Sequence, residues 1–322
     1  MKEPVGRAEL EQVVAELGAR LLGVQELTEG TFNAAYALTL TDGRELVLKV
    51  APPPGTPLLT YERDLLGTEA LCLRRFAGRV PVPELVAAGT TPTGRGYVLT
   101  SVLPGASWSS QAAAVTPAQR RYLRRQVGRH LAAMHTVTRE GRFGYPSGPL
   151  AGATWPVAYR RIIEALLMDA ARFGVELPLS ADQVRARLYP AADELLAGVT
   201  TPVLVHFDLW DGNVFIDLTG PGPEVTGYID HERALWADPA ADLVSLALLG
   251  DVAEDADLLA GYAEAGGPVV LDDATRARLH LYRVHLALVM VVETVPRGTA
   301  VPTHAAWNAR VVEWLRQELA AV

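Results

Sequence analysis

Lysine is almost missing from this 322-residue chain: of its 29 basic side chains only Lys2 and Lys49 are lysine, and the others are arginine. Where arginine is used this heavily, an internal lysine marks a position that wants a compact ammonium rather than a planar fork. Cysteine is rarer still. The single Cys72 excludes a disulfide framework and a cysteine-rich zinc site, and it reads as an inert core thiol. Excess positive charge is also lacking: 37 acidic against 29 basic residues leave a net charge of −8, which argues against a nucleic-acid or membrane-surface partner. No apolar run approaches the ~18 residues of a membrane span. The most apolar late stretch, residues 286–292, is flanked by His285 and Glu293. The start, Met1-Lys2-Glu3-Pro4, has no signal-like apolar run. A soluble, cytoplasmic protein is expected.

What is present suffices for a sizeable core. Apolar residues are 49% and charged residues 20% of the chain, ordinary globular usage, and the length suggests about two domains. The charge is uneven. Residues 206–273 hold fifteen acidic side chains and one basic one, Arg233, a local balance of −14. Such a block calls for bound cations, a cationic ligand or a well-solvated face. Arg120, Arg121, Arg124 and Arg125 form a basic helix face, expected to be solvated.

The first hundred residues read as mostly strand. Runs at 21–27, 32–40 and 45–50 are separated by turns, the second being Thr41-Asp42-Gly43-Arg44, a hairpin signal. Alternation puts Leu46, Leu48 and Val50 on one face of the third strand and Val47 and Lys49 on the other. Residues 61–76 predict one helix whose stripe includes Leu65, Glu69, Leu73 and Phe76. A glutamate in an apolar stripe needs a partner. Glu62, two turns earlier on that stripe, is its rival for Lys49. A further strand covers 96–103, and Pro104-Gly105 marks a hinge. Beyond it the pattern is helical: Leu123, Val127, Leu131 and Met134 mark one helix, with others at 155–173, 182–196, 240–249, 274–294 and 304–319. One β segment, 202–230, interrupts them. The expected class is α+β, a small β-rich lobe over 1–103 and a larger helical lobe over 104–322.

The richest stretch is His206-Phe207-Asp208-Leu209-Trp210-Asp211-Gly212-Asn213. If the strands holding Val214 and Ile229 pair antiparallel, Asn213 falls beside Asp230, with directly opposed residues about 4.5–5.5 Å apart. An amide oxygen and a carboxylate so placed can share a hard divalent ion such as Mg²⁺. Asp208 is left to face an acceptor hydroxyl. His206 reads as a structural hydrogen-bonder, Asp238-Pro239 as a helix start, and Asp242 as a partner for loop backbone. His231, Glu232 and Trp236 face either the acceptor or solvent.

In order and spacing these residues resemble the protein-kinase-like fold, in the version of the aminoglycoside phosphotransferase family of small-molecule kinases. That family's His-Gly-Asp-Leu-x-x-x-Asn loop is matched by residues 206–213. Its Ile-Asp and Gly-Asp-Pro-x-x-Asp-Leu segments are matched by Ile229-Asp230 and by Ala237-Asp238-Pro239-Ala240-Ala241-Asp242-Leu243. The resemblance implies transfer of a phosphoryl group from ATP, with GTP left open, to a hydroxyl of a small molecule. Lys49, held by Glu69, would contact the α- and β-phosphates, Asn213 and Asp230 would hold Mg²⁺, and Asp208 would take the hydroxyl proton. Gly30 and Thr31 would lie in the phosphate-covering turn. Ser101 and Leu103 would offer backbone groups to the adenine, and Trp210, Asp211, His231, Glu232 and Trp236 would border the acceptor. Phe207 stands where the family has glycine and is expected to narrow the acceptor's approach. There is no Gly-x-Gly-x-x-Gly, no P-loop, and no Asp-Phe-Gly or Ala-Pro-Glu, so a protein acceptor is disfavoured. The acidic block puts a cationic antibiotic first as acceptor. A metabolic acceptor such as choline, homoserine or a fructosamine-like adduct is the alternative, and Trp210 after Asp-Leu is similar to the fructosamine kinases. A non-catalytic nucleotide-binding module would have no need of Asp208.

Overall fold

Alternating apolar residues build the first sheet. In the computed structural model, which describes residues 2–28, 30 and 32–322, helix α1 (Arg7–Ala15) precedes strands β1 (Leu21–Leu27), β2 (Ala34–Leu40) and β3 (Glu45–Val50). After a 3₁₀ turn (Thr60–Glu62) come α2 (Leu65–Phe76), β4 (Leu85–Thr90) and β5 (Gly96–Ser101). The sheet is antiparallel in the order β1-β2-β3-β5-β4.

Different helices cover its two faces. Leu46, Leu48 and Val50 are buried with Tyr36, Leu38 and Leu99 beneath Leu10, Val13 and Val14 of α1. On the other face α2 lays Leu66, Ala70 and Leu73 against Val98 of β5. Lys49 is the ladder partner of Val98, so period-two geometry puts it on the α2 face. Helix α1 was not expected from the sequence. Nine residues are too few for a periodic signal, and its three buried side chains are stabilised by the sheet they cover.

The helix expected over 61–76 is broken. Asp64 adopts a left-handed conformation (φ 57°) and caps α2, its carboxylate accepting from the Gly67 amide at 3.2 Å. Only glycine leaves room for that carboxylate, because a Cβ at position 67 would lie 2.3 Å from it. Glu62 therefore sits on the preceding 3₁₀ turn, off the α2 stripe.

The helical lobe continues through β6 (Ala106–Ser107), α3 (Trp108–Gln111), α4 (Pro117–Met134), β7 (Phe143–Gly144), β8 (Ala151–Gly152), α5 (Trp155–Phe173) and α6 (Ala181–Leu195). It then runs through β9 (Val203–Val205), β10 (Val214–Asp217), β11 (Glu224–Tyr228), β12 (Leu235–Ala237), α7 (Asp242–Leu246), α8 (Ala256–Glu264), α9 (Asp273–Val292) and α10 (Ala305–Ala321). The helix expected at 240–249 is the shorter α7 behind a 3₁₀ turn at Pro239–Ala241. The sheet β8-β7-β12-β9 was not anticipated, since strands of two or three residues carry no readable period. At the hinge, Gly105 (φ 79°) lets the chain press on β10, where a Cβ would meet the Ile216 carbonyl oxygen at 2.0 Å. β6 then pairs with β10.

The acidic block is answered from within. Arg124 meets Asp255 at 2.5 Å, Arg125 meets Asp257 at 3.4 Å and Glu264 at 3.2 Å, and Arg129 meets Glu264 at 3.1 Å. From α9, Arg278 meets Asp238 at 2.7 Å and Arg283 meets Asp251 at 3.4 Å. Arginines of α4 and α9 thus answer part of the block, while Glu224, Glu254, Asp272 and Asp273 stand exposed to solvent, as a well-solvated face would. On α4 the expected solvated arginine face holds for Arg120 and Arg121, whereas Arg124 is a correction, only 4% exposed. Among the described residues no helix is long and apolar enough to cross a membrane.

The cap predicts a sign reversal. Gly67→Ala should destabilise the wild-type chain by about 1 kcal/mol through loss of the Asp64 cap. In an Asp64→Gly background the same change should stabilise, by up to about 1 kcal/mol of helix propensity. Urea denaturation of the four variants checks it, and a cost in both backgrounds would refute the steric account.

Candidate active site

Because α2 covers the face that carries Lys49, Glu69 meets it. The ammonium donates to Glu69 Oε1 at 2.8 Å and Oε2 at 3.0 Å, and on its other side it contacts Asp230 Oδ1. Burial alone would push the ammonium down, but Asp230 and Glu69 outweigh it and raise its pKa. Burial leaves Glu69 above the usual carboxylate range despite Lys49. Burial also acts to raise Asp230, whose carboxylate is 39% exposed, yet Lys49 holds it below that range. Glu62 is no rival: it accepts from Arg297 at 2.8 Å and from the Leu59 amide at 2.7 Å.

The hairpin β10–β11 sets the opposite wall. Val214 pairs with Tyr228, and the Ile229 amide donates to the Asn213 carbonyl at 3.0 Å, so Asn213 and Asp230 are neighbours across the ladder. Asp230 is left-handed (φ 58°), a conformation that aspartate tolerates better than most residues. Asn213 Nδ2 donates to the Asp208 carbonyl at 2.8 Å, which ties the ends of the loop together and leaves Oδ1 as the atom with lone pairs to offer.

Buried side chains hold the loop backbone from below. Asp242 Oδ1 accepts from the Phe207 amide at 2.6 Å, and its Oδ2 accepts from the His206 amide at 3.2 Å. Ser245 Oγ accepts from Leu209 at 2.9 Å. His206 donates from Nε2 to the Ile229 carbonyl at 3.0 Å and accepts the Asp208 amide on Nδ1 at 3.3 Å. That pattern needs a neutral ring, and burial lowers its pKa accordingly. Phe207 does not narrow the acceptor's approach. Its left-handed backbone (φ 60°) turns the ring inward, 4.6 Å from the His285 ring. The strain, about 1–3 kcal/mol, is offset by a similar gain from burying the ring.

Asp208 keeps 19% of its side chain exposed, and Arg233 Nη1 lies 3.4 Å from its Oδ1. Burial raises its pKa more than Arg233 lowers it. Arg233 also donates to both oxygens of Glu293, at 2.9 and 2.8 Å, and Glu293 meets Arg297 at 3.2 Å. No motif in the sequence gives Arg233, Glu293 or Arg297 a role. One signal was available: Arg233 is the lone base in the acidic block. Glu232 accepts from Asn33 Nδ2 at 2.6 Å and is pushed up to about 7, by burial first and then by Asp230.

Other expected site residues divide. Ser101 Oγ accepts from the Glu84 amide at 2.9 Å, and Leu103 lies against Gly227. Among the described residues no hydrogen bond is made by the backbone of Val102 or Leu103, so that edge is open. Gly30 is exposed, and Thr31 lies outside the described residues. Trp210 is 42% exposed beside the loop, whereas Asp211 is engaged by Arg124 at 3.4 Å and Arg120 at 3.8 Å. His231 and Trp236 are corrections. The turn after Asp230 folds His231 beneath α2, fully buried between the rings of Phe76 and His206. Trp236 is 3% exposed on β12, under the Arg139 guanidinium. Neither can face an acceptor.

The donor set suits a hard cation. Around one ammonium stand Glu69, Asp230 and Glu232, a net negative site, with Asn213 the neighbour of Asp230 across the β10–β11 ladder. Among the described residues no cluster of three or more His, Cys, Asp or Glu has metal-holding geometry. A magnesium bound by Asn213 and Asp230 would take most of its shell from phosphate and water, which is usual for that ion.

A two-lobed protein-kinase-like fold with a lysine–glutamate pair facing an Asp-Asn loop defines a class, and the comparisons agree. A model of the phosphotransferase enzyme family matches residues 23–282, and the chain belongs to that family. It is similar to a chloroplastic protein-ribulosamine 3-kinase of Arabidopsis thaliana, 29% identical over 49% of this chain and 47% of that one. It thus spans about half the length of that relative. An inferred ketoamine kinase of Klebsiella aerogenes is 24% identical over 72% of this chain and 74% of its own. Among solved structures, an inferred fructosamine-3-kinase of Thermobifida fusca is 26% identical at TM-score 0.67, covering 98% of this chain and 100% of its own. The aminoglycoside phosphotransferase APH(4)-Ia, solved with AMP-PNP and hygromycin B, shares the fold at 17% identity and TM-score 0.63, covering 97% of this chain and 98% of its own.

Beneath the loop, burial pushes His285 down to about 3 and His130 to about 4, against about 6.5 when unfolded. Because the unfolded chain binds these protons first, the stability that these two histidines contribute is complete above pH 6.5 and is lost as pH falls. Glu232, raised to about 7, acts in the opposite sense. Between pH 6.5 and 5, His285→Phe should flatten the decline by up to about 1.4 kcal/mol per pH unit, one proton's slope, in urea titrations. An unchanged slope would refute a neutral, buried His285.

Proposed function

We propose that this chain transfers the γ-phosphoryl group of ATP to a hydroxyl of a ketoamine, the adduct of a sugar with an amine. Phosphoryl transfer is supported above all by one juxtaposition: Lys49, its Glu69 partner and Asp230 stand together with Asp208 and Asn213. Lys49 binds the α- and β-phosphates, kept in place by Glu69. Asn213 and Asp230 hold Mg²⁺, which when bound neutralises charge on the phosphates. Asp208 accepts a hydrogen bond from the attacking hydroxyl and takes its proton late in transfer. Ser101 and Leu103 offer backbone groups to the adenine, Gly30 covers the phosphates, and the boundary between the lobes falls at residues 103/104. Trp210 borders the acceptor.

The ketoamine acceptor is favoured over an antibiotic for two reasons. The curated relatives are ribulosamine and ketoamine kinases. The acidic block, which had argued for a cationic acceptor, is met at six of its fifteen acids by arginines of α4 and α9. The antibiotic kinases among the solved structures stand below 25% identity and speak for the fold alone.

The test is ATP consumption with Mg²⁺ against a fructose–lysine adduct, an aminoglycoside, a macrolide, choline and homoserine. Turnover with the adduct is expected, and turnover with an antibiotic instead would overturn the acceptor assignment. Asp208→Asn should lower kcat by about 10²–10⁴-fold while ATP still binds. Undiminished turnover would remove Asp208 from the mechanism.

A further inference from the structure

We propose that Arg233 is a positioning residue for phosphoryl transfer: its guanidinium, clamped on Glu293, fixes the Asp208 carboxylate where the acceptor hydroxyl arrives. The inference rests on the reading of Asp208 given above and adds what holds that residue in place.

Three observations carry it. The first is the division of the guanidinium's hydrogen bonds. Nη2 makes the short contacts, 2.9 and 2.8 Å to the two oxygens of Glu293, while Nη1 makes the long one, 3.4 Å to Asp208 Oδ1. Arg233 therefore belongs to Glu293 first and leans on Asp208, orienting one oxygen without taking both away from a hydroxyl. A lysine could not do this, because a point charge has no rigid fork to span two carboxylates.

The second is the origin of the turn. Asp230 is left-handed, and the 3₁₀ turn His231–Arg233 starts directly from it. One turn of chain thus carries both the carboxylate on Lys49 and the partner of Asp208. The two functional acids are held in mutual register by local backbone geometry.

The third is what anchors the clamp. Glu293 meets Arg297 at 3.2 Å, and Arg297 meets Glu62 at 2.8 Å and lies over the Phe32 ring at 5.1 Å. Glu62 accepts from the Leu59 amide at 2.7 Å. An alternating chain of charges, Asp208–Arg233–Glu293–Arg297–Glu62, runs from the catalytic loop to the segment ahead of α2. Arg233 is 9% exposed and Glu62 is 2% exposed, so water scarcely competes for these contacts.

The experiment compares Arg233→Ala, Arg233→Lys, Glu293→Gln and Asp208→Asn in the full chain. It measures kcat and KM with the accepted substrate and, in parallel, slow transfer to water as ATP hydrolysis. Nucleotide affinity is read by calorimetry. Arg233→Ala should lower kcat about 10²-fold, the scale of a misplaced reacting group, with KM and nucleotide affinity near wild type. Arg233→Lys should recover only part of the loss. Glu293→Gln should lower kcat in the same sense, and the double variant Arg233→Ala/Glu293→Gln should fall no further than Arg233→Ala.

A crystal structure of Arg233→Ala with Mg²⁺ and AMP-PNP should show the Asp208 side chain in a changed rotamer. Wild-type kcat in Arg233→Ala, or a loss confined to KM, would overturn the proposal. So would an unmoved Asp208 rotamer. Should Arg233→Ala fail to fold, Glu293→Gln carries the same kinetic and crystallographic readouts. Should Asp208→Asn lose no activity, the catalytic reading of Asp208 falls, and the rotamer alone then decides whether Arg233 holds that side chain.

Discussion

The contact of one ammonium with two carboxylates organises this protein. Lys49 comes from the third strand, Glu69 from the helix that covers that strand, and Asp230 from a turn of the helical lobe. Each charge is costly to bury alone, and removing one partner would strand the others in a poorly solvated place. The constraint acts on the fold as well as on the chemistry. The sheet must show Lys49 to α2, α2 must start where Asp64 caps it, and β11 must end where Asp230 can turn left-handed.

A second layer of buried polar groups converts this frame into a fixed loop. Asp242 and Ser245 accept the amides of Phe207, His206 and Leu209, while His206 bridges the loop to the strand before Asp230. The backbone that carries Asp208 is thus specified by hydrogen bonds whose donors and acceptors lie beneath it. Phe207 illustrates the consequence. A bulky side chain occupies a left-handed position that favours glycine because its ring has a core to enter beside His285. Chemistry above the loop is insulated from what fills the space below.

Charge was the least reliable guide to function. A segment with a balance of −14 invited a cationic partner, yet arginines from α4 and α9 engage six of its fifteen acids. The heavy use of arginine has a structural reason here. The planar fork can serve a carboxylate and a carbonyl together, as Arg124 does for Asp255 and the Leu246 carbonyl.

Much of the site was legible along the chain because its signals are local. Period-two alternation put Lys49 on its face, and residues 206–213 with Asp230 carried their chemistry in their order. Proximity across the fold was not legible. His231 and Trp236 follow Asp230 closely but turn into the core, because a left-handed residue reverses the chain and β12 is sandwiched between β7 and β9. Glu62 looked interchangeable with Glu69 until Asp64 broke the helix between them. Arg233 reaches Asp208 across 25 residues and Arg297 reaches Glu62 across 235. By itself the sequence determined the fold class, the lysine and the acid–amide loop, since these follow from periodicity and from spacing within one turn or hairpin. Tertiary structure alone decided which charges meet, because burial and long-range pairing depend on how the two lobes and α9 pack together.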